Sequence, residues 1–269
     1  MIVRTPSVLV LGALLLAAPP AFPLETVEEI RDCVSRNLPQ DSSIQTVVLR
    51  SHDRMGSVTE MRAKIYWKRF EDGFSRLLLR FSDPPDMRGS ALLLIQKEQV
   101  NDMFMYLPEL QRVKRVTGHM MKGSMFGTDF SYEEFERLQG LEAQQFVTER
   151  LPDESVGDRA AYVLQAVPKD GLPPEQLPSY ERSVTWIDRE TCVPLKVEFY
   201  ERGQKLRKRL QVDVNAIERH GERHLARHVE IVDLHDETRT ELVVEAIELG
   251  AKISPSIFSA RALEAKESF

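Results

Sequence analysis

Three histidines in one short stretch have the spacing of a metal site. His220, His224 and His228 recur at intervals of four in "HGERHLARH", which on a helix would place all three on one face as metal ligands. Gly221 interrupts that stretch, and the residues from His224 onward alternate between apolar and polar as a β-strand does. We therefore predict no metal site here, and we expect His224 and His228 to face solvent.

Acidic residues are the second set of candidates for chemistry. Glu133 with Glu134, and Asp236 with Glu237, are adjacent pairs that a helix start and a turn explain. Asp129 lies just ahead of a helix, where its carboxylate interacts favourably with the positive end of the helix dipole. The sequence contains no GxSxG, HExxH, GxxxxGK[ST] or dinucleotide-binding motif. We predict that the protein is not an enzyme and binds no cofactor.

β-Strands are the elements that must position any site in this chain. One amphipathic helix comes first, with Thr26 and Glu29 in capping-box spacing. From Ser43 onward the apolar residues recur with a period of two, and short turns such as "ERG" and "HDE" separate about eleven strands. The polar faces of these strands are charged, which predicts a sheet solvated on one side. The formal net charge of −6 argues against a nucleic-acid partner.

The apolar face of so long a sheet needs cover that two or three short helices cannot supply alone. We therefore predict a mainly β fold with few helices, in which a strongly curved antiparallel sheet forms an open, incomplete β-barrel. The helices plug the mouth of this barrel. A sheet of this strand number encloses more volume than its own side chains fill, so we expect a hydrophobic cavity.

Residues 117–129, "TGHMMKGSMFGTD", form what we call the Met-Gly segment. Glycine permits backbone conformations that are closed to other residues, and methionine adapts to varied apolar shapes. The helix that follows begins with a capping box of Ser131 and Glu134 and a hydrophobic staple of Phe130 and Phe135. The segment is either a mobile apolar lid or a loop whose methionines pack into the core. Composition alone favours the second interpretation.

Face alternation assigns the candidate ligand-binding residues. They come from the apolar faces of three strands and from the Met-Gly segment, and a shift of one residue in register would reverse any assignment on a strand. The set is Ile65, Trp67, Leu79, Phe81, Phe104, Tyr106, Met121, Met125 and Phe126.

The two cysteines, Cys33 and Cys192, allow two interpretations. An oxidising compartment would permit a disulfide bond between them. Two buried free thiols are the alternative, and it is the one we prefer at this point, because sequence does not show that the residues come within reach.

The start of the chain has the pattern of a secretory signal peptide. Arg4 precedes the apolar run from Val8 to Ala18, which at about 11 residues is too short to cross a bilayer. We expect a signal peptide over approximately residues 1–21, export of the protein, and a single domain over residues 22–269.

Long motifs between residues 106 and 210 carry a family resemblance. The stretches "YLPELQRVKRV", "GSMFGTDFSYEEF" and "WIDRETCVPLKVEFYERGQKLRKRL" resemble those of outer-membrane lipoprotein-sorting proteins, in the LolA-like branch associated with RND-type exporters. The resemblance covers most of residues 22–269. It implies a periplasmic protein with a curled antiparallel sheet, helices closing its mouth and a hydrophobic cavity.

The resemblance also implies a function and partners. We expect a periplasmic carrier that binds lipid or lipoprotein acyl chains and transfers them between an inner-membrane transporter of the RND type and an outer-membrane acceptor. Transient membrane contact and a monomeric state go with this expectation. The alternative is a non-enzymatic periplasmic adaptor of an RND-type export complex, with a filled core and no cargo.

Overall fold

The computed structural model describes residues 24–138 and 145–265, and the predicted signal peptide lies outside the described residues. These ranges contain two α-helices, α1 (Val27–Ser35) and α2 (Tyr132–Leu138). They contain fifteen strands: β1 (Ser42–His52), β2 (Val58–Arg69), β3 (Ser75–Asp83), β4 (Ala91–Ile95), β5 (Asp102–Leu107), β6 (Arg112–Arg115), β7 (Phe146–Val156), β8 (Arg159–Pro168), β9 (Arg182–Asp188), β10 (Pro194–Glu201), β11 (Lys205–Val212), β12 (Ile217–His220), β13 (Arg223–Ala226), β14 (His228–Asp233) and β15 (Thr238–Leu249). Six short 3-10 helices complete the described elements: Pro108–Leu110, Gly118–Lys122, Pro174–Gln176, Val214–Ala216, Pro255–Ile257 and Ala260–Glu264.

Thirteen of these strands form one antiparallel sheet that does not close. Their order is β6-β5-β4-β3-β2-β1-β15-β14-β11-β10-β9-β8-β7, and β12 and β13 form a separate hairpin. The predicted open, curved, mainly β fold is therefore confirmed. The strand count exceeds the predicted eleven partly because "HLARHVEIVDL" divides into β13 and β14, and because the pattern missed β12.

The strand order imposes a long crossing on the chain. Strands β1 to β6 run outward to one edge of the sheet, whereas β7 begins at the opposite edge. The later strands then return toward the centre, where β15 pairs with β1. The chain between β6 and β7 must therefore pass from one edge of the sheet to the other. We call its described part, residues 116–138, the crossover; it contains the Met-Gly segment and α2.

The crossover lies on the concave face of the sheet. Leu92 on β4 and Phe199 on β10 come from distant strands, yet they belong to one buried apolar cluster, so the face that they share is the concave one. We call this cluster the interior. Its members from the crossover are Val116, Met125, Phe130, Tyr132 and Phe135, with Met121 and Phe126 packed against it.

Helix α1 covers another part of the same face. Its fully buried Ile30 packs with Tyr162, Leu164 and Ile187 of β8 and β9. Leu164 and Thr185 are direct cross-strand partners, as are Thr185 and Val197, and Val197 belongs to the interior. Cross-strand partners share a face, so α1 lies on the concave side. The predicted capping box of this helix is also present.

The convex face of β2 to β4 is covered as well, which corrects the expectation of one solvated face. Residues of the C-terminal segment pack over the outward side chains of these strands, in a cluster of Tyr66, Leu78, Ala91, Leu93, Ala251, Ile253, Ile257, Phe258 and Leu263. Arg80 on β3 is 3% exposed. Its guanidinium donates to the carbonyl oxygens of residues 262 and 265, at 3.1 and 3.3 Å, so the charged side chain holds the covering segment in place.

A disulfide bond joins Cys33 to Cys192, so the preferred prediction of two free thiols is wrong. The Cα atoms are 5.5 Å apart, across 159 residues of sequence. The bond links α1 to the turn between β9 and β10. Closing so long a loop stabilises the folded state by about 4 to 5 kcal/mol in the chain-entropy account.

Replacing both cysteines with serine is expected to lower the free energy of unfolding by about 2 to 5 kcal/mol, because the unfolded chain regains its freedom. Urea denaturation followed by tryptophan fluorescence measures this loss. The wild type under reducing conditions is the matched control and is expected to coincide with the variant. A wild type whose stability does not change on reduction would contradict the prediction.

Candidate functional site

Seven of the nine candidate ligand-binding residues meet in the interior. Phe104 and Tyr106 are the exceptions, because they pack on the convex face beneath the C-terminal segment. The seven that share the interior are Ile65, Trp67, Leu79, Phe81, Met121, Met125 and Phe126. Four of the seven come from β2 and β3, whose direct partners include Ile65 with Leu79.

The register of β5 explains the two exceptions. Met103 pairs with Leu94, and Met105 with Leu92, so the methionines of this strand face the interior. Phe104 lies between them and therefore points to the other side. The run "DMFMYL" is apolar on both faces, so its sequence contains no contrast from which the inward face could be chosen. The covering C-terminal segment is the reason that both faces are apolar.

The Met-Gly segment fills part of the interior in this conformation. Met125 is 1% exposed. The Phe126 ring packs edge-on against Phe81, with centroids 4.8 Å apart, and lies 6.3 Å from the ring of Tyr132. The core-packing interpretation of the segment therefore describes this structure. The space predicted as a cavity is occupied here by side chains of the crossover.

Phe126 is held in a backbone conformation that a phenylalanine rarely adopts. Its φ is +53°, in the left-handed region, and Gly127 follows with φ +78°. A non-glycine residue in this region costs about 1 to 2 kcal/mol. The packing of the Phe126 ring therefore offsets backbone strain at the same residue.

The two halves of the Met-Gly segment differ in how firmly they are held. In the first half, Thr117, His119, Met120, Lys122 and Gly123 are exposed. The second half forms a compact turn in which the Met125 amide donates to the Phe130 carbonyl at 2.7 Å, and the Thr128 hydroxyl donates to the Met125 carbonyl at 2.7 Å. Moving the first half therefore costs less free energy than moving the second half.

Asp129 anchors the end of the Met-Gly segment to the centre of the sheet. Its carboxylate accepts hydrogen bonds from the hydroxyls of Thr238 and Thr240 on β15, the second at 2.7 Å. Its amide donates to the Thr240 hydroxyl at 2.9 Å. The carboxylate is thus engaged by β15, which differs from the expected role at the start of α2.

A buried ion pair fixes the start of α2. The Glu134 side chain is fully buried, accepts from the Ser131 amide at 2.7 Å and completes the predicted capping box. Lys208 on β11 lies 3.1 Å from the same carboxylate and also donates to the Asp129 carbonyl at 2.6 Å. Tyr180 donates its hydroxyl to Glu134, and burial together with this carboxylate raises the pKa of Tyr180.

The neighbouring Glu133 ties α2 to a second loop. Its carboxylate accepts from the amide and the hydroxyl of Ser179, at 2.9 and 2.7 Å. The sequence predicts that this pair of glutamates lies at a helix start, but it does not predict their buried partners. The sequence does contain a sign of this burial. Tyr132 and Phe135 lie on either side of Glu134 and are both buried, which places the glutamate on the covered side of the helix.

The structure places His224 and His228 in β-structure, as predicted, and His220 at the end of β12, which the sequence pattern missed. His220 and His224 lie on the hairpin of β12 and β13, and His228 begins β14. Among the residues that the structure describes, no group of three metal-liganding side chains comes together. Within the same ranges, no helix has the length and apolarity needed to cross a membrane.

Two pockets open at the end of the sheet where β1 turns into β2 and β14 turns into β15. Their volumes are about 580 and 390 Å³, and polar residues dominate both linings. Neither is the hydrophobic cavity predicted from the sequence. The smaller pocket borders the crossover, since Ser124, Gly127, Thr128 and Asp129 form part of its wall.

Three solved structures illustrate the similarity of fold. An outer membrane lipoprotein-sorting protein domain from Vibrio parahaemolyticus is 24% identical, with a TM-score of 0.78 over 88% of this chain and 97% of that chain. A DUF1329 family protein from Desulfovibrio piger is 23% identical, with a TM-score of 0.77 over 88% and 98%. A LolA superfamily protein from Nitrosomonas europaea is 17% identical, with a TM-score of 0.65 over the same shares. No curated protein matches the sequence.

These likenesses define the class of protein to which the structure conforms. The chain has the LolA-like fold, an open curved antiparallel sheet with helices on its concave face, and the resemblance noted in the sequence is confirmed for the fold. A family model described as "-like: Uncharacterized protein" matches residues 73–265. The chain belongs to that family.

Removing the cation of the buried pair is expected to cost more than removing both charges. Lys208→Met leaves the Glu134 carboxylate buried without its partner, and we expect a loss of about 3 to 5 kcal/mol in the free energy of unfolding. The double variant Glu134→Gln, Lys208→Met is expected to lose less. Urea denaturation of the wild type, both single variants and the double variant measures the coupling. Strictly additive losses would contradict this account.

Glu136 on α2 gives the fold a dependence on pH. Burial raises the pKa of its carboxyl above the ordinary value of 4.5, although Asn101 donates to it at 2.6 Å. The folded state therefore favours the protonated form, and stability falls as the pH rises through the folded-state pKa. Glu136→Gln keeps the hydrogen-bond acceptor. It is expected to raise the melting temperature at about pH 8 and not at about pH 4; an equal effect at both would contradict the assignment.

Proposed function

We propose that the protein is a periplasmic carrier of lipid or lipoprotein acyl chains. It receives them from an inner-membrane transporter, holds them on the concave face of the sheet and releases them to an outer-membrane acceptor. The role requires binding and release, without catalysis. The single observation that carries the proposal is that a strained, methionine-rich segment occupies the apolar interior.

The exchange of the Met-Gly segment for an acyl chain keeps the interior apolar. Each buried methylene of the chain contributes about 0.8 kcal/mol. The cost is the loss of the packing that Met121, Met125 and Phe126 make in the closed conformation. Withdrawal also relieves the left-handed conformation of Phe126. The free energy of binding is therefore the difference between the packing of the acyl chain and the packing of the Met-Gly segment in the same space. Because the segment competes for this space, its return to the interior promotes release of the chain.

The anchors at the end of the segment confine the motion. Asp129 is bonded to β15, and Glu134 is paired with Lys208, so α2 stays on the sheet while residues 117–127 move. Residues 117–123 move at the lower cost, and withdrawal of the remainder also breaks the hydrogen-bonded turn at Met125. The hinge lies at Gly127, whose conformation suits glycine and around which an added Cβ would meet no atom within 4 Å. Gly118, with φ +53°, serves at the other end.

The partners follow from the same proposal. An RND-type exporter is the inner-membrane partner, contact with each membrane is transient, and the carrier acts as a monomer. The solved neighbours support the carrier role through their fold and through the lipoprotein-sorting description that one of them carries.

A second candidate function is favoured by the closed interior. A non-enzymatic adaptor of an RND-type export complex needs no cavity, and its interior would be filled by its own side chains, as it is in this conformation. The two candidates differ in one respect that can be measured, which is whether the Met-Gly segment yields its place to a hydrocarbon chain.

Acyl binding is tested first with the native protein and then with a matched pair of phenylalanine variants. Mass spectrometry of lipids extracted from the protein purified from its host is expected to show co-purifying acyl chains. Phe126→Ala removes the contact with Phe81 that holds the segment closed, so uptake of a fluorescent fatty acid is expected to tighten about 3- to 10-fold. Phe104→Ala, on the convex face, is expected to leave uptake unchanged.

The outcomes separate the two candidates. Absence of co-purifying lipid, together with no uptake by the wild type or by Phe126→Ala, would reject the carrier and favour the adaptor. Circular dichroism of both variants shows whether the fold is retained. Equal changes in uptake for Phe104→Ala and Phe126→Ala would place binding outside the interior.

A further inference from the structure

One hydroxyl in the interior lacks a strong hydrogen-bond partner. Tyr132, the first residue of α2, is 5% exposed and belongs to the apolar cluster of the interior. Among the residues that the structure describes, its hydroxyl donates to a single group, the thioether sulfur of Met105 at 3.7 Å. A thioether is a weak acceptor, so the burial of this O–H group has a cost that the protein offsets only in part. The hydroxyl is therefore available to a ligand that brings a better acceptor.

We propose that the Tyr132 hydroxyl donates a hydrogen bond to the carbonyl oxygen of an acyl ester or acyl amide whose hydrocarbon chain lies in the interior. This inference rests on the proposed carrier function and names the part of the cargo that the protein recognises. An uncharged carbonyl oxygen is a stronger acceptor than a thioether, so the hydroxyl exchanges a weak partner for a strong one when the ligand binds.

The place that the Met-Gly segment leaves lies directly beside this hydroxyl-bearing ring. The ring of Phe126 lies next to that of Tyr132, with centroids 6.3 Å apart. Withdrawal of the segment removes Phe126 from this position, together with Met121 and Met125. An acyl chain that takes the place of these three side chains therefore lies alongside Tyr132.

Tyr132 itself belongs to the part of the crossover that stays on the sheet. Ser131 and Glu134 form the capping box around it, with hydrogen bonds of 2.7 and 3.1 Å, and Glu134 lies 3.1 Å from Lys208 on β11. These bonds hold the start of α2 while the segment ahead of it moves. The hydroxyl is thus a donor that is already in place, and binding requires little further ordering of its side chain.

The surroundings of Tyr132 favour an uncharged carbonyl over a carboxylate. The cluster around the ring consists of aliphatic and aromatic side chains. A carboxylate that enters it loses its hydration and gains one hydrogen bond in return. Burial raises the pKa of Tyr132, so the hydroxyl keeps its proton and acts as the donor. Esters and amides share the required chemistry, and separate ligands distinguish them in the test below.

Three ligands with chains of similar length and different polar groups test the proposal. They are methyl decanoate, N-methyldecanamide and decyl methyl sulfide, and their binding is measured by displacement of a fluorescent fatty acid from the purified protein. The sulfide carries a weak acceptor like that of Met105. The ester or the amide is expected to bind about three- to tenfold more tightly than the sulfide, and the arm that shows the gain identifies the linkage.

Tyr132→Phe removes the hydroxyl and keeps the ring. It is expected to weaken binding of the preferred carbonyl ligand about three- to tenfold and to leave binding of the sulfide unchanged. Tyr106→Phe, on the convex face, is the matched control and is expected to alter none of the three affinities. Because the hydroxyl has only a weak partner in the free protein, Tyr132→Phe is also expected to keep or raise the melting temperature.

Infrared spectroscopy reports the hydrogen bond directly. The carbonyl stretch of methyl decanoate, isotope-labelled at the carbonyl carbon, is expected at a lower frequency in the complex with the wild type than in the complex with Tyr132→Phe. A change of packing alone would weaken binding and leave this frequency the same in both complexes, which would contradict the proposal.

The possible failures are distinguishable. Equal binding of the ester, the amide and the sulfide, or an equal loss for all three in Tyr132→Phe, would overturn the carbonyl inference and leave the carrier function standing. A marked fall in the melting temperature of Tyr132→Phe would show that the hydroxyl serves the fold, and would also overturn the inference. Absence of binding of the fluorescent fatty acid and of all three ligands, in the wild type and in Phe126→Ala, would overturn both.

Discussion

The failure of the sheet to close on itself is the constraint on which the rest of the structure depends. Strands β6 and β7 are consecutive in the chain and lie at opposite edges of the sheet. The described part of the chain between them crosses the concave face, where the apolar side chains of both halves converge. An apolar crossover covers this face without burying unpaired polar groups. The methionines and phenylalanines of the Met-Gly segment meet that requirement.

Polar contacts then decide which part of the crossover is fixed. The apolar interior does not distinguish one arrangement of methionines from another, because such contacts are non-directional. Asp129 and Glu134 supply direction, since their hydrogen bonds and ion pair specify individual partners on β11 and β15. The same residues form or adjoin the wall of the smaller pocket. One group of side chains thus both fixes the crossover and lines the polar end of the interior.

Much of the fold can be predicted from the sequence, but contacts between distant parts of the chain cannot. Alternation with a period of two predicted β2 and β3 correctly, because one face of each is more polar than the other. It failed for β5, whose two faces are both covered. Local spacing identified both capping boxes, since the groups involved lie three residues apart. It did not show that Cys33 meets Cys192, or that Glu134 meets Lys208, because those contacts join parts of the chain that only the tertiary fold brings together.

The pairing of β1 with β15 bears on how the molecule acquires its structure. These strands form the middle of the sheet, with Leu49 opposite Leu242. The two meanders on either side can form from neighbouring residues, but the seam that joins them waits for the last strand, and contacts of such separation make folding slow. A polypeptide threaded through a membrane from its N-terminus would thus stay without its central seam until nearly all of the described chain had emerged.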